Sequence, residues 1–158
     1  MNPETTGTES TFTNHFIREV HVRYRKTKKQ SDVIRRPEEI AKLFRSITVD
    51  NSREHFVAFY LDGASHVACY SIISIGTANS TVVSPREVFQ RAVLIGAVSF
   101  IVAHNHPSGN LDPSREDLSL TQRLQEAGEL LGIRLLDHII VSNSAFLSMS
   151  ETQPNWRR

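Results

Sequence analysis

His104 and His106 stand two residues apart at the end of an apolar run, residues 98–103. In an extended chain, side chains at i and i+2 leave on the same side, so the two imidazoles can converge on one point. Asp117 follows eleven residues after His106, in what reads as the first turn of a helix. A loop of that length can fold back and bring the carboxylate to the same point. Two imidazole nitrogens and one carboxylate oxygen, each about 2.0–2.2 Å from the ion, form a catalytic zinc set with a fourth position open to water. Such an ion lowers the pKa of its water to about 7 and so supplies a nucleophile at neutral pH. Cys69 is the one cysteine, so neither a thiolate cluster nor a disulfide framework is available.

Each of these residues also has a bland reading. A His-x-His pair in a turn can be polar loop, Ser114 a helix N-cap, and Asp117 the N3 member of a capping box. Their conjunction changes the balance. A strand end, two spaced imidazoles, a Pro107-Ser108-Gly109 turn, then Ser114 and Asp117 three apart make one continuous constellation. Gly109 suits a turn that calls for positive φ. Two other metal chemistries fit poorly. A zinc deaminase needs a Pro-Cys-x-x-Cys element, which one cysteine cannot supply. The letters His-Asn-His also suggest an HNH nuclease, but that motif spreads its residues over a ββα unit, whereas here they are contiguous.

The elements that must position these groups follow from periodicity and punctuation. Residues 1–14, rich in Thr, read as a disordered leader, and residues 15–36 as a strand followed by a basic loop. Pro37 opens an amphipathic helix with Ile40, Leu43, Phe44 and Ile47 on one face. Residues 54–61 are a strand, Asp62-Gly63 a hairpin turn, and residues 66–75 the returning strand. Ser84-Pro85-Arg86-Glu87 starts a helix through a capping box, with Val88, Phe89, Ala92, Val93 and Ile95 toward the core. A buried strand at 98–103 delivers the His-rich loop. The helix after Ser114 is expected to bury Leu118, Leu120, Leu124, Ala127 and Leu131, and to stop at Gly132. Strands at 133–141 and near Phe146 finish the domain, and residues 151–158 form a tail. The order β-α-β-β-α-β-α-β-β gives an α/β fold, an α+β sandwich in which helices flank a mixed β-sheet.

His104-x-His106-Pro107, six residues, then Ser114-x-x-Asp117 resembles the JAMM motif of MPN/JAB-domain metallopeptidases. The form His104-Asn105-His106-Pro107-Ser108-Gly109, with Pro113 to Asp117 after it, is similar to the RadC branch of that family. The resemblance spans residues 37–150 and includes Arg53-Glu54-His55-Phe56, Leu61-Asp62, Ser84-Pro85-Arg86-Glu87 and Asp137-His138-Ile139-Ile140. It implies a cytidine deaminase-like architecture and one Zn2+ per chain on His104, His106 and Asp117. It also implies hydrolysis of an amide or isopeptide bond. By the same resemblance Glu54 is the general base toward the water, and Ser114 helps stabilise the oxyanion. Asp137 and His138 read either as a buried structural hydrogen-bonded pair or as outer support for the site. Longer RadC proteins carry a helix-hairpin-helix segment ahead of this domain and a DNA-repair label. The residues before Glu54 read instead as leader, strand, loop and helix.

Charge bears on partners. The 18 basic and 17 acidic residues nearly cancel, yet seven of the basic residues and one acid fall within residues 23–36. Lys26, Lys28 and Lys29 are the candidate phosphate contacts there, and the bland reading is a solvated strand end. Two functional classes stand side by side. One is a metallopeptidase-like zinc hydrolase acting on a protein or peptide conjugate. The other is a metal-stabilised module binding DNA or protein. No apolar run approaches the roughly 18 residues of a membrane span, no secretion signal opens the chain, and a lone cysteine suits a reducing compartment, so the expected location is the cytoplasm.

Overall fold

The structure is a computed structural model that describes residues 21, 23, 25–28, 33–76 and 83–157. The expected leader and Lys29 lie outside the described residues. So does most of the expected first strand, of which His21, Arg23 and Arg25 are exposed and take no strand conformation.

Helix α1 (Pro37–Ile47) begins on Pro37, and the Glu39 carboxylate accepts the backbone N–H groups of Arg35 and Arg36 at 2.7 and 3.1 Å. Strand β1 (Glu54–Leu61) is followed by β2 (Val67–Gly76), α2 (Pro85–Leu94), β3 (Ser99–Asn105), α3 (Arg115–Leu131), β4 (Arg134–Val141), β5 (Phe146–Ser148) and the short α4 (Met149–Thr152). The five strands form one sheet in the order β2-β1-β3-β4-β5. Only β3 and β4 run parallel, joined through α3, so the mixed sheet expected from the sequence is present.

The central strands are buried on both faces, and alternation along them builds two cores. Phe56, Ala58, Tyr60, Phe100, Val102 and Leu135 pack with Val88, Phe89 and Leu124 of α2 and α3. Val57, Phe59, Leu61, Ile101, Ala103 and Ile139 pack with Ile40 and Phe44 of α1 on the opposite face. Two helices therefore cover one side of the sheet and one covers the other. Among the described residues, no helix is long and apolar enough to cross a membrane.

Several local expectations change. The hairpin after β1 is wider than a two-residue Asp-Gly turn. The Asp62 carboxylate accepts from Ala64 N–H and His66 N–H, both at 2.9 Å, and the positive φ falls on Ser65 (64°) rather than on Gly63. Ser84 makes no side-chain cap, so α2 starts on Pro85 and a backbone bond from Glu87 N–H to Ser84 O. Val93 is exposed. Leu118 and Leu131 are 41% and 48% exposed, because α3 turns a different stripe inward: Asp117, Thr121, Leu124, Gln125 and Gly128. That stripe is mostly polar or small. A Cβ on Gly128 would lie 2.5 Å from the Ile133 carbonyl oxygen, so the glycine is what lets α3 sit this close to the backbone leading into β4.

Candidate metal centre

Strand β3 runs further than its apolar letters imply. His104 pairs with Phe56 of β1 on one side and Ile140 of β4 on the other, and the strand ends at Asn105. The His-rich loop thus leaves the carboxyl end of β3 and enters the amino end of α3. In open α/β sheets this is where ligands bind. Gly109 there has φ 75°, and its N–H closes a turn on the His106 carbonyl.

At α3 the capping box forms as expected. Ser114 Oγ accepts from Asp117 N–H at 3.1 Å, while Asp117 Oδ2 accepts from Ser114 N–H at 2.8 Å and from the Ser114 hydroxyl at 2.6 Å. The cap fixes the rotamer of Asp117 and aims its carboxylate at the histidines. Asp117 Oδ1 lies 3.2 Å from His104 Nε2, Asp117 Oδ2 lies 3.3 Å from His106 Nε2, and the two Nε2 atoms are 3.0 Å apart. These three side chains offer donor atoms that all fall within 4.8 Å of one another. A tetrahedral ion with bonds of about 2.0–2.2 Å separates its ligands by roughly 3.3–3.6 Å, so a small outward adjustment would admit one.

The hydrogen bonds behind the ligands decide which nitrogen carries a proton. His106 Nδ1 lies 2.8 Å from the Asn110 carbonyl oxygen, so it donates and its Nε2 keeps a lone pair in the neutral ring. Behind His104 runs a longer relay. The Thr121 hydroxyl donates to the Asp117 carbonyl at 2.6 Å, so its oxygen must accept from His138 Nδ1, also at 2.6 Å. His138 Nε2 then accepts from His104 Nδ1 at 2.8 Å. His104 Nε2 is left as a lone pair facing the carboxylate. With both rings neutral in these tautomers, two imidazole lone pairs and a carboxylate meet at one point, an arrangement that suits a cation. Phe56 holds both buried rings, stacked on His104 at 6.0 Å between centroids and edge-on to His138 at 5.6 Å.

Without a metal among them, the same three groups are held together by protons. Burial works against the charge of Asp117, but the hydrogen bonds from His104 and His106 outweigh it and hold the carboxyl far below the usual range. The hydrogen bond to Asp117 raises His106 above an ordinary imidazole, against the burial that would lower it, and the Glu54 carboxylate adds to the pull. Complete burial pushes His138 well below its ordinary value, keeping it the neutral link that the relay needs. His104 is fully buried, while the His106 side chain retains 18% of its surface, so solvent reaches the site from the His106 side. A cleft of about 50 Å³ touches His106 and Asn105 and is otherwise lined by Arg45, Asn51, Pro107 and Asn143 among others, with none of His104, Asp117 and Glu54 in its wall. That is room for a few waters at most.

Glu54, the first residue of β1, is half-buried. By alternation from Phe56 it shares the face of His104, and it bears electrostatically on His106. It accepts no hydrogen bond among the described residues. The structure separates Asp137 from His138. Asp137 Oδ1 accepts from the backbone N–H of His138 at 2.7 Å and of Ser150 at 3.0 Å, and its Oδ2 accepts from Ser148 Oγ at 2.7 Å. Its carboxylate therefore ties β4 to β5 and α4, with no bond to the ligand set, and burial raises its pKa. The two side chains do not form a pair. Thr121 was missed in the sequence, since a threonine inside a helix carries no sign of what its hydroxyl meets. The Ser114 hydroxyl hydrogen is directed at Asp117, so donation to an oxyanion would require it to rotate. Lys26 and Lys28 are exposed.

One family pattern, described as a RadC-like JAB domain, matches residues 34–154. The chain belongs to the RadC-like JAB family. Relatives agree: it is 50% identical over 119 residues to a UPF0758 protein of Bacillus licheniformis, covering 75% of this chain and 53% of that one. It is 46% identical over 127 residues to a UPF0758 protein of Shouchella clausii, covering 80% and 55%. With the UPF0758 protein YsxA of Bacillus subtilis it shares 46% over 119 residues, covering 75% and 52%. The chain spans about half the length of these curated relatives. The RadC-like JAB match takes in every residue of the centre, from Glu54 to His138.

Proposed function

We propose that this RadC-like JAB domain is a zinc-dependent hydrolase that cleaves an amide or isopeptide bond in a protein or peptide conjugate. One observation carries the reading. His104, His106 and Asp117 present three donor atoms within 4.8 Å, and His138 and the Asn110 carbonyl hold the far nitrogens of the two rings, which frees the near ones for an ion. Nitrogen and oxygen donors without thiolate suit zinc, and three protein ligands leave a coordination position for substrate chemistry. When bound, the ion supplies Lewis acidity to a water and to the scissile carbonyl.

The chain's own groups do the rest. Asp117, held by the Ser114 cap, and His104, held by His138, keep the ligand geometry rigid. Glu54 takes a proton from the attacking water at its carboxylate and returns it to the departing amine. Ser114, once rotated from Asp117, donates to the oxygen that gains charge. Phe56 and the fully buried His104 and His138 exclude water from the inner side, which confines the reaction to the His106 opening.

Metal analysis tests the reading. Purified protein is expected to hold about one zinc per chain, and His106→Ala to lose it. Glu54→Gln is expected to keep the metal and to abolish cleavage of a peptide and isopeptide library followed by mass spectrometry. Unchanged zinc in His106→Ala refutes the site, and undiminished cleavage by Glu54→Gln removes that carboxylate from the mechanism.

A further inference from the structure

The backbone ladder between β1 and β3 runs from the Leu61–Ser99 pair to the Phe56–His104 pair. Beyond that pair, at the end where the site lies, a side chain takes over. Asn105 Nδ2 donates to the Arg53 carbonyl at 2.9 Å, and Asn105 Oδ1 accepts from His55 N–H at 2.8 Å. The amide is 3% exposed. It grips the chain on both sides of residue 54 while leaving the peptide groups of Glu54 itself to β2, where that residue pairs with Gly76. The two bonds reproduce the donor and acceptor that another ladder pair would have offered.

We propose that Asn105 is a positioning residue that sets Glu54 against the metal ligands. It sits between His104 and His106, so any shift of the ligand strand carries the Arg53–His55 segment with it. The alternative for that segment is the loop before β1, where Ser52 bonds locally to Asp50 and would leave residue 54 free to swing. Asparagine is well matched to the task, since its amide holds one donor and one acceptor on a short, stiff stem. Aspartate lacks the donor to Arg53, and serine is too short to reach both partners. This inference rests on the reading of Glu54 as the proton carrier. It adds that the carrier's placement depends on a residue that touches neither ion nor substrate.

The test uses the full chain loaded with cobalt(II) in place of zinc, in wild type, Asn105→Ala, Glu54→Gln and the double variant. Two quantities are read: hydrogen exchange at the His55 amide, and the pH midpoint of the cobalt visible spectrum. Asn105→Ala is expected to speed His55 exchange by at least about tenfold, the scale of one lost buried hydrogen bond. It is also expected to move the spectral midpoint in the same direction as Glu54→Gln, with the double variant moving no further than Glu54→Gln does. Unchanged His55 exchange overturns the clamp. A midpoint that Glu54→Gln moves and Asn105→Ala leaves in place, or effects that add in the double variant, overturns the positioning role. A midpoint that Glu54→Gln itself does not move refutes the underlying reading of Glu54, and the inference falls with it. If Asn105→Ala does not fold, Asn105→Ser takes its place in the same cycle.

Discussion

Replacing Thr121 by valine isolates the relay behind His104. The two side chains are nearly isosteric, so no cavity opens and the change is confined to a hydroxyl. That hydroxyl bonds at 2.6 Å to the Asp117 carbonyl and at 2.6 Å to His138 Nδ1. The Asp117 carbonyl keeps its helical acceptor role, but the His138 Nδ1–H loses its partner inside a fully buried ring. An unsatisfied buried donor costs about 1–3 kcal/mol. At about 2–4 °C per kcal/mol for a chain of this size, the metal-free Tm should fall by roughly 2–12 °C. A second effect separates the relay from ordinary packing. With no acceptor on Thr121, nothing holds the His138 tautomer that receives the His104 Nδ1 proton. Losing such an outer-shell partner weakens metal affinity about 10–100-fold. Competition against a chromophoric chelator measures the zinc Kd, and thermal unfolding with and without chelator measures the rest. Thr121→Ser keeps the hydroxyl and should keep the Kd. A Thr121→Val protein that loses stability but binds zinc as wild type does would refute the tautomer argument and leave Thr121 as packing alone.

Asp137→Ala leaves the donors of Ser148, Ser150 and His138 without their carboxylate, so stability should drop by about 2–4 kcal/mol in urea unfolding while zinc stoichiometry holds; loss of metal would put Asp137 in the site after all. Gly128→Ala drives a methyl against the Ile133 carbonyl and should cost about 1–3 kcal/mol by overpacking, read as a lower Tm; an unchanged Tm would mean that α3 is free to lift away from the backbone beneath it. For pH, the sign follows from His106, whose pKa is raised chiefly by its hydrogen bond to Asp117. In chelator-treated protein that stabilisation is fully present below the unfolded imidazole value of about 6.5 and is lost as pH rises through the higher folded value. Zinc competes with the same proton, so the Tm gain on adding zinc should grow with rising pH across that window, and a gain independent of pH would count against His106 as a ligand.

The sequence was most legible where one signal acted alone. The β1 boundaries follow from eight strand-forming residues bracketed by polar ones, and the Ser114–Asp117 box was visible as letters and forms as expected. Legibility failed where two demands met on one element. Of the apolar face expected on helix α3, Leu120, Leu124 and Ala127 pack on the core, but Leu118 and Leu131 stay exposed while Asp117, Thr121, Gln125 and Gly128 turn inward. The helix must present the candidate ligand Asp117 and the relay hydroxyl of Thr121 and must also come close to the turn into β4, and both requirements outrank the burial of Leu118 and Leu131. Asp62-Gly63 misled in a similar way. The Asp62 carboxylate organises a longer loop through its own hydrogen bonds, and the strained residue becomes Ser65. The letters of Asn105 and Thr121 said nothing of their partners, because those lie far away in sequence, on β1 and β4.

The antiparallel pairing of β1 with β3 places the opening residue of one strand beside the closing residues of the other. The three candidate ligands come from a short contiguous stretch, residues 104–117, whereas Glu54, the proposed proton carrier, arrives from fifty residues upstream. The ligand stretch is nonetheless tied to β1, through Phe56 stacked on His104 and through Asn105 gripping the backbone on both sides of residue 54. A protein whose β1 is nicked, displaced or late to dock would lose the ring packed against His104 together with Glu54, so on the proposed reading metal binding and cleavage would fail together. Metal content would then report the docking of β1 as well as the three candidate ligands.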